Sequence, residues 1–153
     1  MKILMVCLGN ICRSPLAEGI MKHKISVQGL NWHVDSAGTG AWHIGEQPDR
    51  RSIQTARKHG IDITGQRARQ FKPHDLNYFD LILAMDSSNY SEILQHATSK
   101  EQEEKVHLIM NFVTPGMNQN VPDPYWNDFG FEQVFHMLDE ACSKVIERFE
   151  VRV

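Results

Sequence analysis

Lys2-Ile3-Leu4-Met5-Val6-Cys7-Leu8-Gly9-Asn10-Ile11-Cys12-Arg13-Ser14-Pro15 decides how the rest of this chain is read. Residues 2–6 form a short, mostly apolar run that reads as a buried strand. Gly9-Asn10 turns the chain at its end. Ser14-Pro15 then has the form of a helix start, with serine as N-cap and proline at the first helical position. That helix extends to about residue 28, where Gly29 stops it. A strand that turns directly into a helix is the opening unit of an α/β fold.

The alternation continues downstream. Residues 32–37 read as a second strand, Gly38-Thr39-Gly40 as a loop, and residues 48–59 as a helix ended by Gly60. Residues 79–85 are nearly all apolar, as in a strand covered on both faces. Ser87 or Ser88 caps a helix to about residue 97, and residues 106–109 supply a fourth strand. The clearest helix spans residues 130–149. Its Phe131, Phe135, Leu138, Cys142, Val145 and Phe149 recur every three or four positions as one apolar face, which places Cys142 in the core. Right-handed crossovers then predict an α/β domain of three layers. It is a doubly wound, four-stranded parallel sheet with helices on both faces, of flavodoxin-like topology. No repeat or linker divides the chain, so residues 1–153 read as a single domain. Sheets of this kind bind ligands at the C-terminal ends of their strands, and the first such end carries Cys7.

Composition narrows the function. With 153 residues, 41% hydrophobic and 23% charged, the chain is an ordinary globular one that needs no metal or disulfide to fold. The net charge of −3 gives no footprint for nucleic acid, and Arg67-Ala68-Arg69 is too short a basic stretch to supply one. The apolar run at residues 3–8 is too short for a signal segment or a membrane span. The expectation is a soluble, cytoplasmic protein without a membrane partner. The three cysteines, an odd number, agree with a reducing compartment.

Cys7 and Arg13 form a Cys-x5-Arg pair. The spacing alone is weak evidence, but its setting is specific: a strand before, glycine within, a helix start after. Gly9 permits a tight loop whose backbone N–H groups face inward as an anion nest, and the helix adds the positive end of its dipole. A guanidinium grips two phosphate oxygens in parallel. A cysteine in that field is favoured as thiolate. Two plainer readings stand beside this one. Cys7 could be a buried strand-end cysteine with Arg13 a surface charge, or Cys7 and Cys12 could be half of a zinc site. No further Cys/His pair completes such a site at ordinary spacing, so no metal is expected. Asp123, bracketed by Pro122 and Pro124, is either a turn aspartate or a carboxyl held in place for proton transfer.

The segment from Val6 to Pro15 resembles the signature of the low-molecular-weight protein tyrosine phosphatases. Asp123-Pro124-Tyr125-Trp126 resembles that family's acid loop, and Asp35-Ser36-Ala37-Gly38-Thr39 and Ala84-Met85-Asp86 also match, in order and across the whole chain. The resemblance implies metal-independent and cofactor-free hydrolysis of protein phosphotyrosine, through a phosphocysteine on Cys7. Asp123 would serve as general acid and then base. The amides of Leu8, Gly9, Asn10, Ile11, Cys12 and Arg13, with the Arg13 side chain, would hold the phosphoryl group. Tyrosine-phosphorylated proteins are the implied partners, with inorganic phosphate as product and inhibitor. Further roles carry over by the same resemblance. Ser14 would donate to the thiolate, Asn10 would hold the loop through Ser36, and Asp86 would orient Arg13. Gln66 stands where the family usually has a histidine. Ile11, Trp42, Tyr125 and Trp126 would form a slot for a flat ring. Cys12 would form a reversible disulfide with Cys7. Tyr125-Trp126 stands where some relatives carry paired tyrosines, and the aromatic rim fits a monomer or a weak dimer.

Three rival readings share this pattern. Protein-arginine phosphatases use the scaffold but typically carry threonine where this chain has Ile11. Thioredoxin-coupled arsenate reductases need further cysteines for a relay, and only Cys142 remains. A catalytically dead phosphotyrosine-binding module would have no need of Cys7, Arg13 and Asp123 together.

Overall fold

Ile3, Leu4, Met5 and Val6 have no solvent exposure at all, so the strand they form must be covered on both faces. A computed structural model, describing residues 1–127 and 130–150, shows how. Strands β1 (Lys2–Cys7), β2 (His33–Gly38), β3 (Leu81–Ala84) and β4 (Val106–Leu108) form one parallel sheet in the order β2-β1-β3-β4. Met5 of β1 sits opposite Ser36 on one side and Leu83 on the other. The chain leaves β1 for β2 and then crosses back to β3, so the topological switch lies at the C-terminal end of β1. Doubly wound sheets open their ligand crevice there.

One face of the sheet carries Ile3, Met5, Leu81 and Leu83. It is covered by α1 (Arg13–Gln28), α2 (Arg50–Lys58) and α6 (Gly130–Phe149). The other face carries Leu4, Val6, Ile82 and Ala84. It packs against Leu76 of α3 (Asp75–Tyr78) and Ile93 of α4 (Ser87–Leu94), with α5 (Lys100–Glu104) beside β4. The predicted stripe of α6 lies inside: Phe131, Phe135, Leu138, Cys142 and Val145 are buried, and Phe149 is half-buried against Phe112. Truncating a fully buried member such as Leu138 to alanine costs about 2–5 kcal/mol. Among the described residues no helix is long and apolar enough to cross a membrane.

Helix starts depart from the sequence reading, for reasons that bear on the site. Cys12, not Ser14, occupies the N-cap of α1 and makes no side-chain cap bond, and the Ser14 hydroxyl, inside the first turn of the helix, is engaged by Cys7. Helix α2 starts at Arg50 under an Asp49 cap rather than at residue 48. Asp86, not Ser87 or Ser88, caps α4 by accepting the Asn89 N–H at 2.8 Å. Helices α3 and α5 are too short to show a helical period in the sequence. Gly29 ends α1 as expected: its φ of 67° is left-handed, and its N–H reaches the Ile25 and Ser26 carbonyls.

Candidate active site

Between β1 and α1 the backbone carbonyls are drawn away from the cleft. The Cys7 and Leu8 carbonyls accept the N–H groups of Thr39 and Gly40, both at 2.9 Å. Ile11 accepts from the Asp49 N–H at 2.7 Å, and Cys12 from Ser52 Oγ at 3.2 Å. Among the described residues, no protein acceptor takes the N–H groups of Leu8 to Arg13. They are left as an anion nest at the start of a 16-residue helix. Asn10 makes the turn with φ of 56°, a left-handed conformation that asparagine tolerates. Gly38 closes the outside of the loop: a Cβ there would lie 2.8 Å from the Leu8 carbonyl oxygen and 3.1 Å from the Asn10 nitrogen.

A polarised chain of hydrogen bonds ends at the Cys7 sulfur. The Arg69 N–H can only donate, and it meets Asn10 Oδ1 at 3.0 Å, which fixes the orientation of the amide. Asn10 Nδ2 then donates to Ser36 Oγ at 2.9 Å and to Ser14 Oγ at 2.8 Å. Ser36 donates its proton to Glu18 Oε1 at 2.6 Å. Ser14, already an acceptor, has its own proton free for Cys7 Sγ at 3.0 Å. The network therefore presents a hydroxyl donor to the sulfur. It is anchored by Glu18, a buried carboxylate whose other oxygen takes Lys22 Nζ at 2.6 Å.

Arg13 joins three parts of the chain while almost wholly buried. Its Nη1 donates to Asp86 Oδ2 at 2.7 Å and to the Val121 carbonyl at 2.9 Å. The Val121 N–H reaches back to the Met85 carbonyl at 2.8 Å. Arg13 Nη2 lies 3.9 Å from Asp123 Oδ2. Burial works against its charge, but the Cys7 sulfur and the Asp86 and Asp123 carboxylates outweigh that, and its pKa moves upward. Asp123 caps the 3-10 turn Pro124–Trp126 through Oδ1, which accepts the Tyr125 N–H at 3.0 Å. Its Oδ2 is left toward the guanidinium. The unpaired amides of the loop and the buried guanidinium are donors, and donors suit an anion.

A cleft of about 270 Å³ opens over this loop, lined by Leu8, Gly9, Ile11, Cys12, Trp42, His43, Asp123, Tyr125 and Trp126. The four residues expected to form an aromatic slot therefore share one cleft. Trp42 and Trp126 are largely exposed at its rim, and the Tyr125 and Trp126 rings meet edge to face at 4.8 Å. The Arg51 guanidinium stands 5.5 Å from the Tyr125 ring and 4.6 Å from that of Phe131, held by Asp49 at 3.0 Å. The cysteines differ sharply. Burial, then the neighbouring Asp49, Cys7 and Asp123, pushes the Cys12 thiol well up. Burial pushes Cys142 up to about 12. A larger hollow of about 600 Å³, lined in part by Glu18, Lys22, Asp35 and Gln66, includes none of the cysteines.

Several contributors escaped the sequence reading. Gln66 does not join the Asn10–Ser36 network. Its Nε2 donates to the Pro15 carbonyl at 3.1 Å, and its buried Oε1 has no partner. Glu18 terminates the network instead, and a local signal for it existed: it lies one helical turn beyond Ser14 and one before Lys22. Arg69, Val121 and Asp49 act through backbone groups, which leave no residue-type signature.

Comparison with known proteins identifies the family and fold relatives of the chain. The family model described as low molecular weight phosphotyrosine protein phosphatase matches residues 2–152. A Synechocystis sp. protein named for the low molecular weight protein-tyrosine-phosphatases is 46% identical over 149 residues, covering 95% of this chain and 94% of its own. The crystal structure of a protein tyrosine phosphatase from Entamoeba histolytica superposes with a TM-score of 0.91 at 38% identity, covering 98% of this chain and 97% of that one. DARP, a Drosophila arginine phosphatase, superposes with a TM-score of 0.92 at 32% identity, covering all of both chains. This chain belongs to the low molecular weight phosphotyrosine protein phosphatase family.

Proposed function

We propose that this chain hydrolyses protein phosphotyrosine without metal, through a phosphocysteine intermediate on Cys7. The Cys7 thiolate attacks phosphorus in line, and the bond from phosphorus to the tyrosyl oxygen breaks. Protonated Asp123 gives its proton from Oδ2 to the leaving phenolate. The carboxylate then takes a proton from water, whose oxygen attacks phosphorus. The S–P bond breaks, and phosphate and the thiolate are released. The Leu8 to Arg13 amides and the Arg13 guanidinium stabilise charge on the equatorial oxygens. The observation that carries this reading is the convergence on Cys7 of three things: a donor at 3.0 Å, an unpaired amide nest, and a guanidinium within reach of Asp123.

The scaffold alone does not separate tyrosine from arginine as the phosphorylated residue, given the likeness to DARP. Ile11, an apolar branched side chain in the cleft wall with Tyr125, supports a flat ring over a charged phosphoguanidino group. The arsenate reading has little support: a relay needs a reachable thiol, and Cys142 is fully buried in the core. The test is phosphate release from matched phosphotyrosine and phosphoarginine peptides in excess EDTA, with wild type and Cys7→Ser side by side. Fast tyrosyl turnover that the variant lacks is the expected result. Preference for phosphoarginine overturns the substrate assignment, and activity restored only by a divalent ion overturns the mechanism.

A further inference from the structure

We propose that His59, Glu132 and His136 form a binding site for a first-row divalent transition ion, zinc foremost, that ties the end of α2 to the start of α6. The site lies outside the catalytic cleft, and phosphate ester hydrolysis makes no use of it. His59 Nε2 stands 2.6 Å from Glu132 Oε1, and His136 Nε2 stands 3.2 Å from the same oxygen. One ligand atom from each of the three side chains falls within 4.8 Å of the others.

Those spacings are close to what a metal needs. Donors at about 2.0–2.1 Å from a tetrahedral zinc lie roughly 3.3 Å from one another. The His136 pair already meets that separation. The His59 pair has to open slightly and the two imidazoles to draw together, which are side-chain movements only. Two imidazoles and a carboxylate are ligands of zinc, and of cobalt or nickel, rather than of magnesium. Water would complete the coordination.

Three features prepare the site. The His59 ring is stacked flat on Phe135, with centroids 3.9 Å apart and planes 10° from parallel, so one ligand is held before binding. Glu132 and His136 are four residues apart on α6 and share a helix face. Glu132 Oε2 is buried without a hydrogen-bond donor. Two charges oppose a cation there. Lys58 Nζ lies 3.7 Å from Glu132 Oε2, and α6 presents its positive end. The Lys58 side chain is mostly exposed and free to turn into water, and the Glu132 carboxylate offsets the helix end.

The test uses the full chain as Cys7→Ser/Cys12→Ser, so that no thiol of the cleft competes for metal. Zinc is titrated calorimetrically, with Tm followed in parallel, and magnesium serves as the control. The expected result is one zinc per chain and a rise in Tm on binding. His136→Ala, at an exposed position, is expected to weaken binding at least about tenfold and to remove the rise in Tm. His59→Ala is the second variant. Zinc binding unchanged in both variants overturns the proposal, as does absence of a binding heat in the parent at excess zinc.

Discussion

Arg13 Nη1 donates to Asp86 Oδ2 at 2.7 Å, joining the loop after β1 to the end of β3. The other oxygen of the same carboxylate caps α4 through the Asn89 N–H at 2.8 Å. Asp86 is thus a helix cap and an arginine anchor at once. The two tasks do not compete, because a carboxylate has two acceptor oxygens.

Two substitutions separate those tasks. Asp86→Asn keeps a good N-cap but removes the charge facing Arg13. Its cost is expected at about 2 kcal/mol, below the roughly 3–5 kcal/mol of a fully buried pair, because 21% of the Asp86 side chain is exposed. Asp86→Ala loses the cap as well, for about 1 kcal/mol more. Both variants should lose kcat/KM, and urea unfolding should separate them. Equal stabilities would show that the cap contributes nothing.

Asp123→Asn keeps an acceptor for the Tyr125 N–H but has no proton to give. The expected fall in kcat on a phosphotyrosine peptide is about 10²–10⁴-fold. An aryl phosphate with a more acidic leaving group should narrow the deficit. A uniform deficit across leaving groups would assign Asp123 to binding rather than to proton transfer.

Gly38→Ala tests the loop's outer support. The added methyl would press on backbone, the Leu8 carbonyl and the Asn10 nitrogen, which have no flexible end to yield. A loss of about 1–3 kcal/mol is expected, together with weaker inhibition by inorganic phosphate. Wild-type phosphate affinity in this variant would mean that the loop does not depend on this contact for its shape.

Glu18→Ala leaves the Ser36 hydroxyl without its acceptor and Lys22 without its partner. An unsatisfied buried group costs about 1–3 kcal/mol. The effect should reach kcat, because Ser36 and Ser14 share the Asn10 amide. Lys22→Ala, removing only the exposed partner, should leave kcat near wild type. A fall in kcat equal to that of Glu18→Ala would shift the anchor from the carboxylate to the ion pair.

The three cysteines should react in a fixed order. Burial and nearby negative charge push the Cys12 thiol up, and burial pushes Cys142 to about 12. Iodoacetamide at neutral pH should therefore label Cys7 first, with inorganic phosphate protecting it, as fragment-ion mass spectrometry can read. After peroxide, a Cys7 sulfenic acid condensing with the Cys12 thiol would release water and form a disulfide. Cys12→Ser should then recover less activity with thiol than wild type, and equal recovery would rule that protection out.

Much of this was legible in the residues themselves, where the determinants are local. Alternating strands and helices, the turn at Gly9-Asn10, the Cys7–Arg13 spacing and the proline-bracketed Asp123 each sit within a few positions, and backbone sterics and hydrophobic periodicity act over that range. The tertiary structure alone decided what lies far apart in the chain. It brought Arg13 to the Val121 carbonyl, Glu18 to the end of the network in place of Gln66, and His59 to Glu132, and it makes the contacts of Asn10 with Ser36 and of Arg13 with Asp86 that only the family resemblance implied. It also set Ser14 inside the first turn of α1 rather than at its cap, with its hydroxyl on the Cys7 sulfur as the resemblance implied. Those outcomes follow from packing and from the need of each buried polar group for a partner. A partner 26, 73 or 108 residues away leaves no mark in a local stretch of sequence.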